Sequence, residues 1–457
     1  MNKFFMLALT VSVGCSTANI NLSAPPKFNG EKFAVNQNAQ LDNWWRELES
    51  AELNKFVEDV LDNNLDLAAA AASLKAVAAT TNAVIGRHLP AVDLGFNFGK
   101  SRTNIIGLPI PGAGDVIAIE SDRASFDLSL SWELDFFGRL AAEENSALAR
   151  LDASKADYVA ARLAVSGQAA RTWIAYIFSQ KQVDTIEDVI EIQRQLLSSI
   201  TDAAELSSRS DLVFSARSEL LATQNQLSQA RAQQQQLQQA LQTLLSSDSA
   251  YQATSSTWPQ VRAMSATTIE AQLIARRPDL IALEAQLRAA EAQVDVAHAA
   301  LYPSFSIGIA GGTNTDELSS LLDGDYRTWS FGTNVLAPLF HGGALREQES
   351  AAQHQYSAAS YVFGQHCIRA FAEVATLINN ERALIEQTTN LTKLNDLSQR
   401  LIRSKQQSLS LGAGNVQDVL RAELALKQVF FSQINVGLFL MQNRVDLHLA
   451  VGGGFTQ

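Results

Sequence analysis

The sequence predicts a mostly α-helical chain that also carries part of a transmembrane β-barrel. Three observations lead there. Residues Ser125 to Phe136 alternate without a break, every even position apolar and every odd position Ser, Asp or Glu, the mark of a strand with one apolar and one wet face. A helical pattern free of proline then runs from Arg139 to about Leu206, on the order of 100 Å at the rise of an α-helix. The plan also occurs twice: Asp66-Leu67 and Pro90 stand 213 residues before Asp279-Leu280 and Pro303, and Gly138 and Leu140 stand 205 before Gly343 and Leu345.

Composition fits long helices better than compact α/β units, since 457 residues contain only nine prolines and 7% aromatics. The formal charge is −12 with no Lys/Arg stripe, which excludes nucleic acid as a natural partner. Residues 1–14 form a signal peptide: Lys3, an apolar run from Phe4 to Val13, then Gly14. Ending at Gly14-Cys15, it resembles a bacterial lipoprotein signal, which implies that Cys15 becomes the acylated first residue. Ser12 stands where that signal usually has Leu, and Ser16 fits transfer to the outer membrane. Cys367 is then the one remaining cysteine, so packing rather than a disulfide must hold the fold. No later run of eighteen apolar residues predicts a transmembrane helix.

Residues 15–50, with Pro25-Pro26 and Trp44-Trp45, read as an extended surface segment pinned by the two tryptophans. A first repeat spans 51–245. It opens with a helix from Ala51 to about Arg87, ended by Pro90. Strands follow at about 91–102 and 124–136, joined by a Gly/Pro-rich hairpin loop over Ser101 to Asp122. Helices at about 139–206 and 212–245 complete the repeat. The second of these carries Leu220, Thr223, Leu227, Ala230, Gln234, Leu237, Leu241 and Leu244, a heptad seam. After a connector at 246–268, a second repeat spans 269–450, with strands at about 304–313 and 327–337 and helices at about 343–411 and 416–450. Residues 451–457 form a tail. Each repeat places its strand hairpin at one end and its helix turn, at Ser207 to Asp211 or Gly412 to Asn415, at the other.

Strands of about ten residues cross a bilayer when tilted, and lipid tolerates no open sheet edge. Four strands cannot close a barrel, for which about eight is the minimum. The chain must therefore oligomerise. Because Asp127, Ser129, Ser131, Glu133 and Asp135 occupy the wet face, the shared barrel should enclose a polar channel with these residues as its lining and Phe126 to Phe136, the even positions, toward lipid.

Chemistry of other kinds finds no footing. Gly95 to Ser101 looks like a phosphate loop but is one residue short of the spacing needed and alternates as a strand. The six histidines show no metal-binding pairing, and no nucleophile motif occurs, so neither an enzyme nor a cofactor or metal is expected.

The repeat, Trp132-Glu133-Leu134-Asp135-Phe136-Phe137-Gly138-Arg139-Leu140, Arg277-Pro278-Asp279-Leu280, Tyr302-Pro303-Ser304-Phe305, Pro338-Leu339-Phe340-His341-Gly342-Gly343 and the terminal glycines together resemble the TolC-like outer-membrane efflux family, in its lipoprotein branch of the NodT and OprM type. The resemblance implies a homotrimer with a twelve-stranded barrel in outer-membrane lipid of a Gram-negative bacterium and a tunnel of twelve periplasmic helices. It implies a tripartite pump, with a periplasmic adaptor and a proton-driven inner-membrane transporter of the RND type as partners. It further implies a periplasmic gate at Asp418. The second gate acid of the family is here Arg421, which suggests an intersubunit Asp418 to Arg421 pair. The turns bearing Ser208, Asp211, Gly412, Gly414 and Asn415 would receive the adaptor. A duct for type I protein secretion is the alternative within transport; a coiled-coil lipoprotein without a pore is the rival outside it, and it predicts no alternating strands.

Overall fold

A computed structural model describes residues 43–106, 116–205, 210–247, 251 and 276–453. The signal peptide, Cys15, Ser208 and most of the connector lie outside them. The elements run α1 (Ala51–Asn63), α2 (Leu65–Ile85), β1 (Ala91–Ile106), β2 (Val116–Leu134), α3 (Arg139–Glu205) and α4 (Ser210–Leu244), then α5 (Pro278–Ala299), β3 (Ser304–Thr315), β4 (Arg327–Leu336), α6 (Ala344–Ser410) and α7 (Val416–Ala450). Short 3-10 turns occupy Trp44–Leu48, Gly86–His88, Leu318–Ser320 and Gly324–Tyr326.

Two boundaries differ from expectation for local reasons. The single helix expected from Ala51 to Arg87 breaks at Asn64, whose backbone is extended (ψ 124°) and whose Oδ1 accepts the Leu67 N–H at 3.0 Å. Asn64 lies in the polar cluster Asp62-Asn63-Asn64-Leu65-Asp66, whose Asn serves as an N-cap although the apolar spacing continues on both sides. The hairpin loop expected over Ser101 to Asp122 is mostly strand, paired from Ser101↔Ser121 to Ile106↔Val116. Glycine and proline fall only within 107–114, and the flanking residues keep their ladder bonds.

The helices pack side by side in one layer. In the half away from the sheet the packing order is α4, α3, α7, α6; in the half next to it the order is α2, α3, α5, α6. All eight seam residues of α4 are buried or half-buried, with Thr223 and Leu241 the most enclosed. α2 and α7 are long and apolar enough to span a membrane by composition alone, yet both pack lengthwise against α3. The alanine-rich sequence of α2 permits close helix approach.

The core lies where the two half-bundles meet. Trp44, Trp45, Leu53, Phe56, Trp173, Ile174, Ile177, Leu241, Ile434 and Val445 are all at most 2% exposed there. The tryptophans expected to pin a surface segment are thus core residues: Trp44 donates to Ser166 Oγ at 3.1 Å and stacks on His448, ring centres 5.3 Å apart. The large apolar area of an indole favours burial; the Trp44 N–H finds a partner inside, while that of Trp45 is buried with none among the described residues.

At this equator short helices abut end to end. The Asn64 amide donates to the Leu244 carbonyl at 3.1 Å, joining α2 to the end of α4. At the position 213 residues on, the Arg277 guanidinium donates to the Ala450 carbonyl at 3.0 Å and joins α5 to the end of α7. Arg277 also pairs with Asp279 (2.9 Å) and with Glu373 of α6 (2.7 Å). The chain closes α7 with a Schellman turn, Gly453 N–H to His448 O and Gly452 N–H to Leu449 O. At Gly452 (φ +83°) a Cβ would meet the Arg276 carbonyl at 3.0 Å, so only glycine lets the tail lie against the start of α5.

Arg277→Ala is expected to lower stability by about 2 kcal/mol, because it orphans a helix-end carbonyl and two carboxylates at once. Arg277→Lys should recover little of this, since an ammonium cannot fork to three acceptors. Thermal unfolding followed by circular dichroism measures both.

His448 supplies a pH dependence. Burial drives its pKa down from 6.5 to about 4, its contact with Gly453 O opposing this and Arg444 adding to it. The Glu47 carboxylate, 3.7 Å from Nε2, does not restore the proton. A base with a depressed folded pKa leaves the unfolded chain holding more protons, so stability should be flat above pH 6.5 and fall between 6.5 and about 4. Unfolding midpoints against pH should lose this slope in His448→Gln; an unchanged slope would assign it elsewhere.

Candidate functional site

The sheet is antiparallel in the order β1-β2-β3-β4, so β2 and β3 join the two repeats directly. Residues directly opposite in an antiparallel pair share a face, and the register therefore extends the alternation of β2 across all four strands. Val92, Leu94 and Phe96 stand opposite Leu130, Leu128 and Phe126. Leu130 stands opposite Ile309, which faces Phe331. This apolar face is open: Leu94 is 66%, Phe331 63% and Trp329 84% exposed. Such an area belongs against lipid rather than water.

The other face is small and polar. Asp127 lies between Gly95 and Gly312, Ser129 between Asp93 and Ala310, and Ser131 between Ala91 and Gly308. Gly312 is required by close approach, since a Cβ there would fall 1.9 Å from the Phe126 carbonyl. With glycine on both sides, the Asp127 carboxylate has no bulky cross-strand neighbour.

Glu133 and Asp135 have other engagements. Glu133 accepts from Arg139 at 2.6 Å, and Arg139 also pairs with Glu143. β2 ends at Leu134, so Asp135 is not part of the strand; its Oδ2 accepts the Ala141 N–H at 2.8 Å in the first turn of α3. These acids fasten the strand to the long helix, aided by Gly138 at φ +77°. Phe137 stacks on Tyr302 with ring centres 4.9 Å apart, tying the same corner to the second repeat. Arg346, at the matching corner, is exposed.

The far end of the bundle holds the helix turns. After α6, Gly412 (φ +71°) and Ala413 close a second Schellman turn, with Gly412 N–H to Leu409 O and Ala413 N–H to Ser408 O, both at 3.0 Å. At Gly414 a Cβ would lie 2.7 Å from the Leu409 nitrogen. Asn415 caps α7 by accepting the Gln417 N–H at 2.9 Å, and Asp418 follows in the first turn, where the helix dipole favours an acid. Asp211 occupies the first turn of α4. Lys405 on α6, which no motif singles out, stands 3.9 Å from Asp418 across the turn. Arg421 is exposed and makes no ion pair within the chain among the described residues.

Both lateral edges of the molecule are open in the single chain. Among the described residues β1 pairs only with β2, and β4 only with β3. α4 packs chiefly on α3 and leaves Phe214 69% and Leu221 55% exposed. On the opposite edge α6 exposes Tyr361 at 69%, Leu397 at 60% and Leu401 at 48%. The edge of repeat 1 is thus β1, α2 and α4, and the edge of repeat 2 is β4 and α6.

A membrane-suited strand sheet carried on a helical rod far longer than a bilayer is thick defines the class: an outer-membrane channel protein with a helical duct. The profile of the outer membrane efflux protein family matches residues 56–247 and 271–453, one stretch in each repeat, and the chain belongs to that family. It is 28% identical to the pyoverdine export outer membrane protein OpmQ of Pseudomonas putida, over 98% of this chain and 97% of the relative. It is 25% identical to the cation efflux system protein CusC of Escherichia coli O157:H7, over 99% and 98%. The fold matches the crystal structure of the Campylobacter jejuni CmeC outer membrane channel with a TM-score of 0.82, covering 92% of this chain and 90% of that one at 23% identity. The protein is accordingly an outer-membrane channel component of an efflux system.

Gly414→Ala forces a Cβ against backbone at the turn and is expected to destabilise it by about 1–3 kcal/mol. Limited proteolysis at the α6–α7 turn should quicken; a cleavage rate equal to the parent's would show that the turn relaxes freely.

Proposed function

We propose that three copies of this chain form the exit duct of a tripartite pump, and that the duct is passive, with energy supplied at the inner membrane. The observation that carries the reading is the pair of unlike open edges. A contact between the β1, α2 and α4 edge of one copy and the β4 and α6 edge of the next is head-to-tail, and such contacts close into rings. Three copies supply twelve strands, enough for a barrel, whereas two supply only eight with a lumen filled by side chains. In that barrel the face bearing Asp93, Asp127, Ser129 and Ser131 lines the channel, and the face bearing Phe96, Phe126 and Phe331 meets lipid.

Substrates are small solutes. Relatives are named for pyoverdine, cations and toluene, and a wide wet duct places little demand on the identity of what passes. This favours efflux over protein secretion. The turns at Asp211 and at Gly412 to Asn415 receive a periplasmic adaptor linked to a proton-driven transporter of the RND type. Acylation at Cys15 adds a lipid anchor.

Asp418 and Arg421 form the gate at the periplasmic tip, with Lys405 as a further cation facing Asp418. Asp418→Ala and Arg421→Ala should each raise single-channel conductance several-fold in planar bilayers; parental conductance and ion selectivity in both would remove these residues from the gate. The trimer should appear as a heat-labile oligomer that survives SDS at room temperature. Cys15→Ala should end incorporation of labelled palmitate, and retained label would place the acyl group elsewhere.

A further inference from the structure

The β1–β2 hairpin outgrows the rest of the sheet. β3 reaches Thr315 opposite Ala124, and β4 reaches Arg327 opposite Thr313. β1 and β2 continue in register from Gly99↔Arg123 to Ile106↔Val116. This ribbon of eight residues extends about 26 Å past the rim at an ordinary strand rise. Among the described residues it has no third strand from its own chain, and a two-stranded ribbon is marginal alone in water.

Polarity inverts along the ribbon, on one face at its base and on the other in its outer half. On the face that is apolar below the rim, the ribbon carries Lys100 paired with Asp122 at 3.3 Å and Arg102 paired with Glu120 at 3.4 Å. On the face that is polar below the rim, Gly99 opposite Arg123 and Ser101 opposite Ser121 come first, and only the outer half of the ribbon carries Thr103 opposite Ile119 and Ile105 opposite Ile117. Ile119 is 48% exposed. Ile106 with Val116, at the last register position, is the one apolar pair on the charged side.

We propose that the three ribbons of a trimer lean over the mouth of the barrel and pack Ile105, Ile117 and Ile119 against their copies, sealing the extracellular end. The proposal rests on the trimeric barrel put forward above. The isoleucine face is continuous with the lumen face, so its partner is another copy of the ribbon rather than lipid. The charge pairs, on the outer side, stay in water. Reach is sufficient: twelve strands spaced about 4.8 Å and tilted about 40° enclose a radius on the order of 12 Å, less than half the ribbon's length. A converging ring of isoleucines blocks ions by excluding water, while exposed ion pairs hold the ribbon only weakly and leave it able to part.

The test uses the full-length protein in intact cells. Ser129→Cys, on the lumen face below the ribbon, is challenged with a maleimide reagent too bulky for ordinary porins, with Asn104→Cys on the outer side of the ribbon as the accessible reference. Ser129→Cys should label slowly, and adding Ile105→Ser, Ile117→Ser and Ile119→Ser should speed it about tenfold or more once the apolar constriction is gone. Separately, Ile117→Cys should form disulfide-linked dimers between subunits on oxidation. Labelling of Ser129→Cys as fast as the reference in the otherwise unaltered protein, or absence of the cross-link, overturns the seal. Each variant is also run unheated on SDS gels: a trimer band with rapid labelling refutes the seal alone, whereas no trimer band in any of them refutes the barrel on which it rests.

Discussion

Every backbone N–H and C=O that enters lipid must find a partner, and a four-stranded antiparallel sheet leaves two edges without one. That constraint reaches far beyond the strands. The helices repeat the same lateral order as the sheet, with repeat 1 on one flank and repeat 2 on the other. Apolar residues stay exposed along both flanks, as at Phe214 and Leu397. A single copy is thus a segment of a wall.

Within that wall, length is achieved by stacking. α3 and α6 each run 67 residues without interruption, and beside them the shorter helices abut at the equator. A helix end exposes carbonyls that need donors, and here the donor comes from the residue that begins the next helix of the column. Asn64 and Arg277, at equivalent places in the two repeats, make this bond with different side chains. The repeat has preserved a geometric requirement rather than a residue. The second junction is the more heavily charged, and it also binds α6 through Glu373. Deeper in the same helix pair, Glu381 and Arg444 form an ion pair in which both side chains are at most 7% exposed, and Asn443 donates to Leu377 O at 3.0 Å. A buried pair of this kind fixes register, because sliding α6 along α7 would leave charges without partners.

The sequence alone determined the periodic features. Strand alternation, the two offsets, the α4 seam and the Gly412 turn all depend on a residue's near neighbours in the chain, and each could be read before any contact was known. Features that oppose the local trend were hidden. Asn64 ends one helix and caps the next within Asp62-Asn63-Asn64-Leu65-Asp66, where the helical spacing of apolar residues runs through without a break. The ladder from Ser101 to Ile106 was obscured by the glycines and prolines beside it. Trp44 and Trp45 follow a polar segment, and nothing nearby shows that Ser166 and His448 enclose the first of them.

Among the site residues the same division holds. Asp127, Ser129 and Ser131 keep the face their alternation assigns, because a side chain's side of a strand is set by parity. Glu133 and Asp135 obey the same parity in the sequence but are taken up by Arg139 and by the Ala141 amide at the strand-to-helix corner. The proximity of Lys405 to Asp418 depends on two helices folding back at Gly412. Chain order thus determined which faces are wet, which are apolar and how often the plan repeats. Tertiary structure alone decided which charges meet, since ion pairs between distant residues arise from packing that leaves no period in the sequence.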